Sequence, residues 1–173
     1  MEEKLLEVRH LKKYFHTPAG LLHAVDDVDF SIPKGKTMGV VGESGCGKST
    51  LGRSLLCLEP PTAGEILFEG KNIAALSKRE MKKVRPKIQM VFQDPYSSLN
   101  GRMTVRQLIA EPLLVNKICK NRAEVDKKVD EMMETVGLAR RLDMAYPHEL
   151  DGGRRQRIGI ARALILNPEF VVC

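Results

Sequence analysis

The chain has no apolar run approaching the ~20 residues that a helix needs to cross a bilayer, so no membrane span is expected. Its cysteines, Cys46, Cys57, Cys119 and Cys173, are far apart and form no C-x-x-C pair, which leaves neither a zinc-ligand pattern nor a disulfide framework. The opening MEEKLLEVRH lacks the basic-then-apolar layout of a secretory leader. Together these absences give the expectation of a cytosolic compartment. Internal repeats and low-complexity linkers are missing too, so the 173 residues read as one domain able to bury a core. Nor is there any motif for binding RNA or DNA. The net charge of +6 is moderate, and its local excess sits in Lys78, Arg79, Lys82, Lys83, Arg85 and Lys87. That cluster is expected to be a solvated helix face near anionic lipid or substrate, with no nucleic-acid partner.

What the chain does contain, with no position missing, is G-x-x-x-x-G-K-[ST]: Gly42-Glu43-Ser44-Gly45-Cys46-Gly47-Lys48-Ser49, extended by Thr50. Thr37-Met38-Gly39-Val40-Val41 before it reads as a short buried parallel strand. Leu51, Leu55 and Leu58 after it recur at helical spacing and predict one apolar helix face. Strand, glycine-rich turn and helix form the setting this motif requires. Such a turn leaves unpaired N–H groups at the positive end of a helix dipole, where a polyphosphate binds. Gly45 and Gly47 let the backbone curl closely around it. Lys48 supplies a charge for the β- and γ-phosphates, and Ser49 a hydroxyl for Mg²⁺. The bland alternative is a glycine-rich turn with an exposed lysine.

Elsewhere the pattern alternates between strands and helices. Strands are expected at Leu5 to Arg9, Ala24 to Ile32, Glu65 to Phe68, Ile88 to Phe92, and from Glu169 to Cys173. The first helix should stop at Leu58 to Gly64, and Ser77 should cap a basic helix running to about Val84. Helices follow from Thr104 to Val115 with Pro112 perturbing it, from Arg122 to Val136 ending at Gly137, and from about Arg154 to Leu166.

A second constellation narrows the reading. Leu150-Asp151-Gly152-Gly153-Arg154-Arg155-Gln156-Arg157-Ile158-Gly159-Ile160-Ala161-Arg162-Ala163-Leu164 resembles the signature motif and helix of ABC ATPases. Gln93 stands where that family has its Q-loop glutamine. Phe92-Gln93-Asp94-Pro95-Tyr96-Ser97-Ser98-Leu99-Asn100 and the stretch from Val41 to Thr50 are similar to the ATP-binding subunits of oligopeptide and dipeptide importers. Nickel and sugar-type importers share much of this pattern. The resemblance covers essentially the whole chain, in the family's order.

The resemblance implies an α/β fold: a P-loop NTPase (RecA-like) core, an antiparallel β subdomain before and around residue 70, and a helical ABC subdomain. Residues 1–98 and 154–173 would make the core and β subdomain, and residues 99–153 the helical subdomain with the signature. Two copies, or two related subunits, would sandwich two ATP molecules. Each loop (Gly42, Ser44, Gly45, Cys46, Gly47, Lys48, Ser49, Thr50) would then face the partner's Gly152 and Gly153. Phe15 falls where an adenine-stacking aromatic is expected, with Tyr14 the neighbouring alternative and plain core a third reading. Lys48 and Gln93 would be catalytic, and Ser49 and Gln93 would serve Mg²⁺. The segment Asp94 to Met103 would receive a coupling helix from transmembrane permease subunits, which an extracytoplasmic solute-binding protein supplies. That places the protein at the cytoplasmic face of the membrane. A soluble ABC-type nucleotide switch is the competing class.

Three departures from the family pattern matter. Asp151 and Arg154 stand where the signature usually has Ser and Gln. A carboxylate 4 Å from a phosphate charge costs about 4 kcal/mol at an effective dielectric near 20. Asp is a good N-cap, however, so Asp151 is expected to cap its own helix while Arg154 offsets its charge. Gly101 replaces a usual Pro. Phe170-Val171-Val172-Cys173 looks like a Walker B strand ending before its Asp and catalytic Glu, and His10, His16, His23 and His148 all lie too early to be the switch histidine. The fold is therefore expected to be truncated at its C-terminus, with little or no ATP hydrolysis by this chain.

Overall fold

Leu6, Val8 and Leu11 are buried on one strand, although strict alternation would put residue 10 inside. A β-bulge resolves the mismatch. The pairing register shifts between Val8 and Leu11, and His10 takes a left-handed φ of 48°. One extra residue in the strand thus returns Leu11 to the buried face. In this computed structural model, which describes residues 3–94 and 98–173, that strand is β1 (Lys4–Thr17). It forms a long antiparallel hairpin with β2 (Gly20–Pro33), well beyond the two short strands the sequence predicts. Once paired, even the polar tip from Tyr14 to Thr17 stays in the ladder.

β3 (Ala63–Phe68) pairs antiparallel with the other edge of β1, and β4 (Lys71–Asn72) with β3, giving the order β2-β1-β3-β4. Glu69 and Gly70 link β3 to β4 with φ values of 49° and 77°, the two left-handed residues of a tight hairpin turn. This is the antiparallel β subdomain expected around residue 70. Its buried face holds Leu6, Leu11, Ile66, Phe68 and Ile73. The same compact unit, Met1–Lys83, contains α1 (Lys48–Leu55) and most of α2 (Lys78–Val84). Ser77 caps α2 as predicted: its hydroxyl and N–H donate to Glu80, and it accepts from the Glu80 N–H.

The second unit, Val84–Cys173, packs α3 (Val105–Val115), α4 (Arg122–Thr135) and α5 (Gly152–Leu164) around one apolar core. Leu108, Ile109, Leu113, Val129, Met133 and Ile158 are among its fully buried members. Each contributes about 1.5–3 kcal/mol by leaving water. Thr104 and Gln107 form a reciprocal capping box at the start of α3. Gly137, at φ 69°, ends α4, with the Leu138 N–H reaching back to the Met133 carbonyl at 2.8 Å. Arg106 joins α3 to its surroundings through Asp126, Asp130 and Asp143. Parallel strands β5 (Ile88–Met90) and β6 (Phe170–Val172) complete this unit.

Four sequence expectations need correction. Thr37 to Val41 is not a strand, and Val41 is 96% exposed. A strand exists only through its ladder partners, and neither sheet among the described residues takes this segment up. Helix α1 stops at Leu55, so Leu58 lies outside it and is exposed, while Leu56 is buried in its place. The stop is a Schellman turn: Cys57, at φ 49°, donates to the Ser54 carbonyl and Leu58 to the Arg53 carbonyl. β5 ends at Met90, which leaves Phe92 half exposed, because the ladder to β6 is only three residues long. Finally, α5 begins at Gly152 rather than Arg154, since Asp151 nucleates it from outside.

Candidate functional site

The phosphate loop occupies the turn into α1. Gly45 and Gly47 have φ values of 80° and 94°, the left-handed region that a side chain makes costly. Gly47 is also required by space. A Cβ there would lie 2.1 Å from the Ala24 carbonyl oxygen of β2, so the loop packs directly on the hairpin backbone. A Cβ on Gly42 would meet the Cys46 sulfur at 2.6 Å. The loop is thus a close-wound ring that sits on its own unit's sheet.

Electrostatically the ring is prepared for an anion. The N–H groups of Lys48, Ser49 and Thr50 have no preceding helical turn to bond, and Gly47 as N-cap brings no side chain to satisfy them. No acidic residue stands in the first turn of α1. The first helical bond is Leu51 N–H to the Gly47 carbonyl, 2.8 Å. Lys48 folds back over the ring, its ammonium donating to the carbonyls of Gly42 (2.8 Å) and Glu43 and lying 3.5 Å from the Cys46 sulfur. Ser44, Gly45, Cys46 and Ser49 are exposed, so positive charge, free amides and a hydroxyl face solvent together.

Among the remaining predicted residues of this unit, the hairpin separates Tyr14 from Phe15. Tyr14 donates its hydroxyl to Asp26 and stacks on His23, ring centroids 3.9 Å apart. The hydrogen bond to Asp26 pushes the Tyr14 phenol up to about 12. The same bond, followed by that from His23, holds the Asp26 carboxyl below its usual range. Tyr14 is therefore engaged on its own strand pair. Phe15 is half-buried, with the Lys13 ammonium 4.8 Å from its ring centroid.

The second unit carries the other predicted residues. Gln93 lies on an exposed bend just beyond β5. Gly152 and Gly153 open α5, where among the described residues no neighbour other than Asp151 comes near a Cβ built on either. Asp151 caps that helix as expected, its carboxylate accepting the Arg154 N–H at 2.8 Å, with the Arg154 guanidinium 3.5 Å from its other oxygen. Arg155, Arg157 and Arg162 of the same helix are spent on structure, bonding the carbonyls of Pro147, Val136 and Ser98. In the segment Asp94 to Met103, Pro95, Tyr96 and Ser97 lie outside the described residues. Arg102 and Met103 line an open cleft of about 620 Å³ with Gln107, Leu114, Val115 and Met144. Leu114, Val115 and Met144 are each more than half exposed there.

Two groupings were not legible beforehand. His10 Nδ1 lies 3.2 Å from Asp27 and 3.6 Å from Asp29, with Lys12 also on Asp27. Tyr14, His23 and Asp26 form the other. Both depend on the cross-strand register of β1 and β2, which no local spacing reveals.

Comparison with known proteins agrees with this geometry. The family model described as ABC transporter matches residues 25–173. The oligopeptide transport ATP-binding protein OppF of Bacillus subtilis is 54% identical over 173 residues, covering 99% of this chain and 57% of its own length. Its namesake from Haemophilus influenzae is 48% identical over 99% of this chain and 54% of that protein. The chain thus spans about half the length of these curated relatives. Among solved structures, the dimeric ATP-binding cassette MJ0796 bound to ADP and Pi superimposes with a TM-score of 0.87 at 29% identity, over 96% of this chain and 72% of that one. Loop, caps, fold and sequence converge: the chain belongs to the ABC transporter family.

Proposed function

We propose that this chain is the nucleotide-binding part of a subunit that powers import of oligopeptides or dipeptides. The observation that carries the reading is the loop from Gly42 to Thr50. It is wound so tightly on β2 that Gly47 admits no side chain, and it opens α1 without an acidic or capping group. The names of the OppF-type relatives support the peptide class.

ATP fits this donor set. The amides of Gly45, Gly47, Lys48 and Ser49 would hold the phosphates, and Lys48 would exchange its loop carbonyls for their charge. Ser49 and Gln93 would hold Mg²⁺, which supplies charge neutralisation when bound. Gln93 would also orient water. Phe15 is the adenine-stacking residue in this reading, because Tyr14 is occupied by Asp26 and His23. Gly152 and Gly153, at a helix start whose N-cap is already satisfied internally, would close over a second copy's or a related subunit's nucleotide. The cleft beside Arg102 and Met103, with Leu114 and Met144 exposed, supports docking of a permease segment there. The subunit would then work at the cytoplasmic face of the membrane, with a solute-binding protein acting through the permease. In this reading residues 1–98 and 154–173 would form the core and β subdomain, and residues 99–153 the helical subdomain with the signature.

The test is titration of the purified chain and its Lys48→Ala variant with a fluorescent ATP analogue. At least a tenfold loss of affinity is expected, from removing a charge-assisted contact worth about 1.5–3 kcal/mol. Unchanged affinity sinks the proposal. Co-purification of the parent protein with integral membrane subunits separates this reading from a soluble nucleotide switch.

A further inference from the structure

We infer that the face of α2 formed by Lys78, Arg79, Lys82 and Lys83 is a docking surface for anionic lipid headgroups. These side chains sit at i, i+1, i+4 and i+5, an arc of about 140° on an ideal helix. All four are exposed, and none has an ion pair or hydrogen bond among the described residues. Glu80, the single acid of the helix, lies outside the arc. It is held at the back by Ser77 and by Lys71 of β4, 3.3 Å away. Those hydrogen bonds, Ser77 first, lower its carboxyl below the ordinary range, and they aim it at Ser77 and Lys71, away from the basic arc. The helix is thereby turned with its cations outward.

Chemistry selects the partner. The arc is convex and purely cationic, which suits a plane of phosphates and not one enclosed anion. From Ser77 to Lys87 there is no aromatic residue, the side chain on which unpaired bases stack. No helix of the described residues is long and apolar enough to cross a membrane. Each lysine or arginine beside an anionic leaflet multiplies partitioning about fivefold, and the effect fades within a Debye length.

The test is co-sedimentation of the purified chain with vesicles of phosphatidylcholine alone or mixed with phosphatidylglycerol. Binding is expected only to the mixed vesicles, and added salt should release it. The K82E/K83E variant should bind at least about twentyfold more weakly, while K82R/K83R binds normally and the ATP-analogue titration of both is unchanged. The salt titration needs no variant and reads the same contact. Equal binding to neutral vesicles, salt-insensitive binding, or full binding by K82E/K83E overturns the inference. So does displacement from the vesicles by an equimolar RNA oligonucleotide, which would assign the face to nucleic acid.

Discussion

Replacing Gly47 with alanine tests whether the loop's closeness to the hairpin, and not merely its glycine content, builds the site. At φ 94° a residue with a Cβ loses about 1–2 kcal/mol relative to glycine. The new methyl would also start 2.1 Å from the Ala24 carbonyl oxygen, more than 1 Å inside ordinary contact, and both atoms belong to backbone that cannot rotate away. Overpacking of that kind typically costs a further ~1–3 kcal/mol. Gly45 is the internal control. Its φ of 80° incurs the conformational term, yet nothing lies within 4 Å of its Cβ position. Urea unfolding should therefore place Gly45→Ala about 1–2 kcal/mol below the parent and Gly47→Ala about 2–5 kcal/mol below it, with unchanged slopes. ATP-analogue affinity should fall further in Gly47→Ala, because relief of the contact lifts the first helical amides off the hairpin. If the two variants unfold together and bind alike, the packing of loop on strand is not what shapes the ring.

Two shorter tests follow. Asp151→Ala should cost about 1 kcal/mol of stability in denaturant unfolding by removing the N-cap of α5, whereas Asp151→Ser, which can still cap, should stay within about 0.5 kcal/mol. If the proposed function holds, Asp151→Ser should also change dimer-dependent ATP turnover only mildly, and a large gain would mean the carboxylate faces the phosphate. In spectrophotometric titration, Tyr14 should ionise near 12, and Asp26→Asn should bring it back toward 10. Because the folded phenol is raised, its stabilising contribution is complete below 10 and is lost as pH climbs toward 12. The Asp26 carboxyl is lowered, so its contribution holds above 3.8 and disappears as pH falls through the lowered value.

Features that depend on neighbours within one helical turn were legible from the residues alone. The loop from Gly42 to Ser49, the Ser77 and Asp151 caps and the end of α4 at Gly137 all stand where local spacing put them. Each is closed by hydrogen bonds between residues at most six apart, so the sequence carries both partners. The register of the β1–β2 hairpin was not legible, since bulges at His10 and Asp27 are decided by which residues can be buried together. That register alone brings Tyr14, His23 and Asp26 into one group, and so distinguishes Tyr14 from Phe15. The apolar run from Thr37 to Val41 has strand composition and yet forms no strand. Backbone N–H and C=O groups of a strand bond only to another strand, so pairing is settled by tertiary structure and not by the segment itself.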